Sequence, residues 1–249
     1  MRSSRFASLL TLTVGLALWT LAPYGGCSCY NPLDSTAGGP TPTAVPPNSP
    51  LITNWETPGP SNNYLSNQWG GTAVTSVDAF GSTLLPGLAA GSTLAGGTSG
   101  HSYGMSGVIV KDGPPNYPTA EFSVTLGGIQ DMLVKYGSFQ GLQFSYMWSG
   151  TIPVGASFYV VARTSTVSDY GYWRYQIYPT DNAWHILQVY FPNKAGAPKF
   201  AQPTWAVAEP WATGTTPSGT KLVQFDFQIQ PVTGVSSAYN VVVDDLSFF

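Results

Sequence analysis

The chain has 249 residues, only 8% of which are charged, and its formal net charge is −3 at pH 7. Its few cations are not clustered as phosphate neutralisation requires, so nucleic acid is not an expected partner. The only two cysteines, Cys27 and Cys29, lie near the N-terminus, so a hydrophobic core and not a disulfide framework must hold the fold together. The many aromatic and hydroxyl-bearing residues suit neutral, hydroxyl-rich ligands better than ionic ones.

Residues 1–26 have the order of a secretory signal peptide. Arg2 and Arg5 form a positive n-region, and residues 9–22 form an uncharged apolar h-region. The apolar run is shorter than the roughly 20 residues that a spanning helix needs. We therefore predict export, with an uncleaved membrane anchor as the alternative.

The end of this signal resembles a bacterial lipobox, because it reads Gly25-Gly26-Cys27. Cys27 would then be the first mature residue and would carry lipid, as the protein's only contact with a membrane. Tyr24 stands where an aliphatic residue is usual, which leaves simple secretion as the alternative. Residues 27–50 are rich in Pro, Thr and Ser and predict an extended tether. We expect a lipoprotein of the outer membrane or cell surface.

Residues 51–249 are predicted to form one all-β domain. Short segments rich in β-branched and aromatic residues alternate with Gly, Pro, Asn and Asp, the pattern of strands and turns. The predicted strands are 51–56, 73–79, 106–111, 120–126, 142–148, 157–164, 170–178, 184–191, 221–229 and 240–249. Long loops are predicted at 81–104 and 192–220. This pattern indicates an antiparallel β-sandwich.

Several motifs in this domain carry a family resemblance. In chain order they read LITNWE, QWGGTAVTSVDAFGSTLLPG, KYGSFQGLQFSYMWSG, WHILQVYF with FAQPTWA, and VVVDDLSFF. Together they resemble the galactose-binding-like jelly-roll domains, especially carbohydrate-binding module family 11. The resemblance implies a jelly roll and polysaccharide binding, with a β-glucan as ligand where it extends that far. It fails at Ala73-Val74, where relatives often have bulky aromatics, so a sugar platform is expected to be missing there.

The resemblance also implies a structural calcium ion. Related modules hold it between an acidic residue of the first strand and an aspartate of the last, positions that Glu56 and Asp244 occupy here. Calcium takes about six to eight hard oxygen ligands, which carboxylates and loop carbonyls can supply. Strict alternation in a strand would turn Asp245 to the face opposite Asp244. The alternative is that the two carboxylates cap loops without a metal.

The segment YGYWRYQIY, residues 170–178, is the candidate carbohydrate-binding strand. Alternation predicts that one face carries Tyr170, Tyr172, Arg174, Gln176 and Tyr178. Rings can stack on the C–H faces of a sugar while polar side chains bind its hydroxyls. Arg163, on the preceding predicted strand, is expected to join this set. The alternative is that the tyrosines are outer-face residues with solvated hydroxyls.

Four other aromatic residues are further possible sugar platforms, with a role in the core or in anchoring loops as the alternative. These are Trp69, Tyr103, Trp148 and Trp205.

Catalysis is not expected. A glycosidase needs two carboxylates in one cleft, and the only histidines, His101 and His185, have no evident partners for a triad or a zinc site. We predict a monomer that binds polysaccharide or oligosaccharide at the concave face of its sandwich. The alternatives are a structural or adhesive surface protein that contacts proteins, and a polysaccharide hydrolase with an unrecognised site.

Overall fold

The computed structural model describes residues 51–56, 65, 67, 71–90, 100–111, 118–126, 139–149, 156–167, 170–209, 211, 222–231 and 235–249. The chain divides into two units, Met1–Gly38 and Gly39–Phe249. The predicted signal and tether, including Cys27, lie outside the described residues, as does Trp69. In the described part, no helix is long and apolar enough to cross a membrane.

The described part of the second unit is built of β-strands. They are β1 (Leu51–Thr53), β2 (Ala73–Val77), β3 (Leu85–Ala90), β4 (His101–Ile109), β5 (Ala120–Thr125), β6 (Gly141–Trp148), β7 (Ala156–Thr164), β8 (Trp173–Ile177), β9 (His185–Tyr190), β10 (Leu222–Pro231) and β11 (Ser237–Phe248). Sheet I has the order β3-β4-β11-β6-β9, with β1 also paired to β11. Sheet II has the order β2-β5-β10-β7-β8, and every pairing is antiparallel. The predicted antiparallel β-sandwich is confirmed.

The predicted loop at 81–104 is wrong, because β3 and the start of β4 lie within it. The sequence of β3, LPGLAA, has low strand propensity. It can still form a strand because β3 is at the edge of sheet I, where Pro86 is tolerated. In β4, a Cβ on Gly104 would lie 2.5 Å from Cγ1 of Val242 on β11. Gly104 therefore allows two strands to approach closely and does not mark a loop.

The core between the sheets consists largely of aromatic rings, and Phe227 of β10 lies among three of them. Its ring stacks on Phe122 of β5 at 4.8 Å between centroids and meets Phe144 of sheet I edge-on at 5.1 Å. The ring of Phe158 on β7 lies 6.4 Å away. Phe227 is fully buried, so this cluster joins three strands of sheet II to sheet I.

Truncating this central ring should destabilise the fold strongly. Phe227→Ala is expected to lower the free energy of unfolding by about 3–5 kcal/mol, because it removes buried apolar surface and leaves a cavity. Denaturant unfolding measures this, with Phe80→Ala as the control, since Phe80 is 47% exposed. If Phe227→Ala does not fold, Phe227→Leu takes its place with a smaller expected loss. Equal effects of the core and surface variants would contradict the central role of Phe227.

Candidate functional site

The outer face of sheet II is formed by every second residue of its strands, because neighbouring side chains in a strand point to opposite sides. On β10, Phe225, Phe227 and Ile229 pack in the core. The outward residues, which we call the polar face, are Val74, Ser76, Glu121, Ser123, Thr125, Ser157, Tyr159, Val161, Arg163, Arg174, Gln176, Gln224, Asp226, Gln228 and Gln230. Cross-strand register aligns Ser76, Glu121, Gln228, Tyr159 and Gln176 in one row.

Arg163 links two carboxylates at the middle of the polar face. Its Nε donates to Oδ2 of Asp226, and one terminal nitrogen lies 3.1 and 3.2 Å from the two carboxylate oxygens of Glu121. Asp226 is fully buried, and Gln224 donates to its Oδ1 at 2.7 Å. Burial by itself would lower the pKa of Arg163, but the charges of Asp226 and Glu121 outweigh it and raise that pKa. Arg163 is therefore held charged and in one orientation.

Glu121 is the more accessible of the two carboxylates, with 11% of its side chain exposed. Gln228 donates to its Oε2 at 2.8 Å, and Ser76 lies 3.4 Å from its Oε1. Burial and the charge of Asp226 raise the pKa of Glu121 above its ordinary value, and Arg163 only partly opposes them.

Two guanidinium groups of the polar face lie over tyrosine rings. The Cζ of Arg163 is 4.6 Å from the ring centroid of Tyr172, and the Cζ of Arg174 is 5.0 Å from that of Tyr159. Cation–π contacts of this kind hold the planar group against the ring. Within the described ranges Arg174 has no carboxylate partner. Its N–H donors are therefore available to a ligand.

The remaining predicted residues extend this surface along β8. Gln176 donates to Ser157 at 3.2 Å and accepts from the hydroxyl of Tyr178 at 2.9 Å. Tyr178 is 69% exposed. The predicted residues thus form three contacting groups, Arg163 with Tyr172, Arg174 with Tyr159, and Gln176 with Tyr178, which the pairing of β7 with β8 places along the same edge of sheet II. The residues that alternate with them, Trp173, Tyr175 and Ile177, pack on the core.

Tyr170 does not belong to the strand, so the alternation predicted for it is wrong. β8 begins at Trp173, and Tyr170 lies before it with a positive φ of 62°. Its ring nevertheless meets that of Tyr172 edge-on at 6.4 Å, and 78% of the residue is exposed. It therefore stands beside the polar face, on the turn that precedes β8.

Several residues of the polar face were missed at the level of sequence, namely Tyr159, Glu121, Asp226, Gln224 and Gln228. The alternation in QFDFQIQ, residues 224–230, could have shown the three on β10, because each polar side chain there is flanked by apolar ones. Of the further possible platforms, Tyr103 and Trp148 are buried in the core, whereas Trp205 is 61% exposed.

Of the two predicted calcium ligands, Asp244 lies at a β-bulge of β11, while Glu56 lies beyond the end of β1. Strict alternation of Asp244 and Asp245 is wrong. Val243 and Leu246 are both core residues, so the two aspartates between them both face away from the core. The pairing of β11 with β6 shifts register between Asp244 and Ser247, and Asp245 has a φ of 51°. An extra residue in one strand of a pair produces this arrangement.

The carboxylates near this bulge offer the hard oxygen donors that calcium prefers. Glu56 accepts the backbone N–H of His101, and Asp244 accepts that of Asp245. Burial raises the pKa of Asp245, Ser145 opposes this, and the negative charge of Glu56 adds to it. Among the described residues, no group of three or more His, Cys, Asp and Glu side chains is placed to hold a metal ion. Backbone carbonyls or water would have to complete the ligand set, and calcium stays a prediction.

The two histidines have acidic neighbours. Nδ1 of His101 is 3.7 Å from Oε2 of Glu56, and Nε2 of His185 is 2.7 Å from Oδ1 of Asp181. His185 also stacks on Tyr146, with ring centroids 5.5 Å apart.

No protein-family model and no curated protein matches the chain. Among solved structures, it is similar to a family 11 carbohydrate-binding module from Clostridium thermocellum in complex with a β-1,3-1,4-mixed-linked tetrasaccharide. That match has 13% identity and a TM-score of 0.47, and it covers 81% of this chain and 95% of the other. SGBP-B from a xyloglucan utilization locus of Bacteroides uniformis matches at 12% identity and a TM-score of 0.41, covering 82% of this chain and 51% of the other. The fold assignment rests on the strand pairing described above.

Stability should respond to calcium if Glu56 and Asp244 bind it. A ligand held only by the folded state raises its apparent stability, by about 2.7 kcal/mol at a hundredfold excess over Kd. Thermal unfolding in calcium buffer should therefore show a higher midpoint than unfolding after chelation. Glu56→Gln should abolish the difference, while Glu209→Gln should retain it. A wild-type midpoint that chelation leaves unchanged would rule out the metal.

Glu121 should make stability depend on pH. Its pKa is raised in the folded state, so the folded protein retains this proton to a higher pH than the unfolded chain does. The resulting stability is fully present below the unfolded pKa of about 4.5 and is lost as pH rises through the folded pKa. Denaturant unfolding over a pH series should show a smaller loss for Glu121→Gln than for wild type.

Glu209→Gln is the control for this pH series and should behave like wild type. Asp245 has a raised pKa as well, so Asp245→Asn should remove a separate part of the same decline. If Glu121→Gln declines as steeply as wild type, the assigned direction of the Glu121 shift is wrong.

Proposed function

We propose that this protein binds polysaccharide at the polar face of sheet II without cleaving it. The observation that carries the proposal is a pair of arginine–tyrosine contacts on one sheet face. The distance from the guanidinium Cζ to the ring centroid is 4.6 Å for Arg163 and Tyr172, and 5.0 Å for Arg174 and Tyr159. The proposed binding residues are Tyr170, Tyr172, Arg174, Gln176, Tyr178 and Arg163, to which the geometry adds Tyr159.

This surface has the two features that a sugar requires. Exposed rings such as Tyr170 and Tyr178 can stack on C–H faces, and Arg174 and Gln176 offer hydrogen-bonding groups for hydroxyls. The contacts between these side chains also order them before a ligand arrives. Less conformational entropy is then lost on binding. Since one stacked ring contributes only about 1 kcal/mol, strong retention requires several contacts along one chain.

A β-glucan is the first ligand to test, because the sequence motifs resemble family 11 of the carbohydrate-binding modules. The predicted export signal and the predicted lipid on Cys27 would place the polar face at the cell surface, where polysaccharides are encountered. Both of these belong to the proposal, as does the monomeric state.

Cleavage is the second candidate function, because Glu121 and Asp226 lie on one face and bind the same arginine. A glycosidase uses two such carboxylates as acid and base or nucleophile. However, Asp226 is fully buried, and both its oxygens have partners in Arg163 and Gln224. This geometry favours a role for the pair in positioning Arg163, and therefore favours binding over hydrolysis.

Binding can be tested by affinity electrophoresis in gels that contain soluble mixed-linkage β-glucan or xyloglucan. Wild type should be retarded, and Tyr172→Ala and Arg174→Ala should each weaken retention by about tenfold, since each loses contacts worth ~1.4 kcal/mol. Ile186→Ala and Gln188→Ala are the controls, because these exposed residues lie on the outer side of β9 in sheet I. They should run like wild type.

The outcomes separate the alternatives. If wild type is retarded and both variants are retarded as strongly as wild type and the controls, the polar face is not the binding site. Release of reducing sugar by wild type but not by Glu121→Gln would support the hydrolase. An absence of retention on every glycan tested would favour a structural or adhesive protein.

A further inference from the structure

The segment that follows β9 is anchored in the core at two points. Phe200 is 2% exposed and its ring lies 6.3 Å from Phe191, while Trp211 is 8% exposed and stacks on the same ring at 5.1 Å. Between these anchors the chain passes along the edge of sheet II. Both backbone hydrogen bonds between Arg174 of β8 and Ala201 are formed, at 2.9 and 3.0 Å. Ala201 thus extends the sheet beyond its last strand.

Gln202 connects this segment to the turn before β8. Its Nε2 donates to the carbonyl of Gly171 at 2.8 Å, and its Oε1 accepts the backbone N–H of Glu209 at 2.9 Å. Gly171 stands between Tyr170 and Tyr172. Gln202 therefore ties the segment after β9 to the segment that carries these two tyrosines. A hydrogen bond of 3.0 Å from Ala206 to the carbonyl of Pro203 closes a tight turn.

Trp205 lies in that tight turn and is 61% exposed. Within the described ranges its indole has no ring contact and no hydrogen-bond partner. Tryptophan is usually well buried, and a turn that is closed by its own hydrogen bond does not need an exposed indole for its stability. The turn's own hydrogen bond thus fixes the backbone that carries Trp205, and most of the residue's surface is exposed to solvent.

We propose that Trp205 is an aromatic platform that binds the same glycan chain where it continues past β8. The inference rests on the proposed function, and it adds a binding position outside the sheet. The segment that carries Trp205 is continuous with the edge of sheet II, because Ala201 pairs with Arg174 and Gln202 donates to Gly171, between Tyr170 and Tyr172. This connection supports the proposal. The ligand class is then a polymer of several linked sugars, which contacts the polar face and Trp205 together.

The test compares the polymer with a short ligand. Trp205→Ala should weaken binding to soluble mixed-linkage β-glucan by about fivefold or more, through the loss of one stacked ring. Its affinity for a tetrasaccharide of the same glucan, measured by calorimetry, should change much less. Xyloglucan and its oligosaccharides serve as a parallel probe. Trp205→Phe should restore most of the polymer binding, because a phenyl ring can still stack.

Phe80→Ala is the matched control, since this exposed ring follows β2 at the opposite edge of sheet II. Its binding should equal that of wild type, and the thermal midpoints of all variants should agree. If wild type binds the polymer and Tyr172→Ala weakens it while Trp205→Ala does not, the platform is refuted and the polar face stands. If wild type binds neither polymer nor oligosaccharide, the proposed function fails and this inference fails with it.

Discussion

The ion pair between Asp226 and Arg163 is the interaction on which the rest of the polar face depends. Asp226 is fully buried on the outer side of β10, and a buried carboxylate without a partner would cost several kcal/mol. Arg163 meets this requirement, and its guanidinium then reaches Glu121 on one side and the ring of Tyr172 on the other. One pairing therefore sets the positions of side chains on three strands and on the segment before β8.

The polar face and the core are two sides of the same strands. In β10, Phe227 packs between the sheets while its neighbours Asp226 and Gln228 face outward. The aromatic cluster around Phe227 holds the strands in register, and that register brings the outward groups together. The result is a surface whose rings and hydrogen-bonding groups are ordered without a ligand. Side chains that are already ordered lose less conformational entropy when any ligand binds to them.

The edge of sheet II is extended by a segment that is not one of its named strands. The segment after β9 fills the core with Phe200 and Trp211 and continues the sheet through Ala201. Trp205 lies in the tight turn of this segment and is exposed. Sheet I also departs from regular pairing, at the bulge of Asp244 and Asp245 in β11. One extra residue there turns both carboxylates away from the core.

Local pattern was enough to determine the sandwich class, most of the strands and the two faces of β8, because the side chains of any strand alternate with period 2. Departures from that period, at Tyr170 and at the Asp244 bulge, depend on backbone conformations that the residue types do not reveal. Likewise, β3 became a strand through pairing with β4, against the propensity of its residues. The partners of Arg163 were decided by tertiary structure alone. Asp226 lies 63 positions away in sequence, and Gln228 lies 107 from Glu121, so only strand order and register bring these groups together.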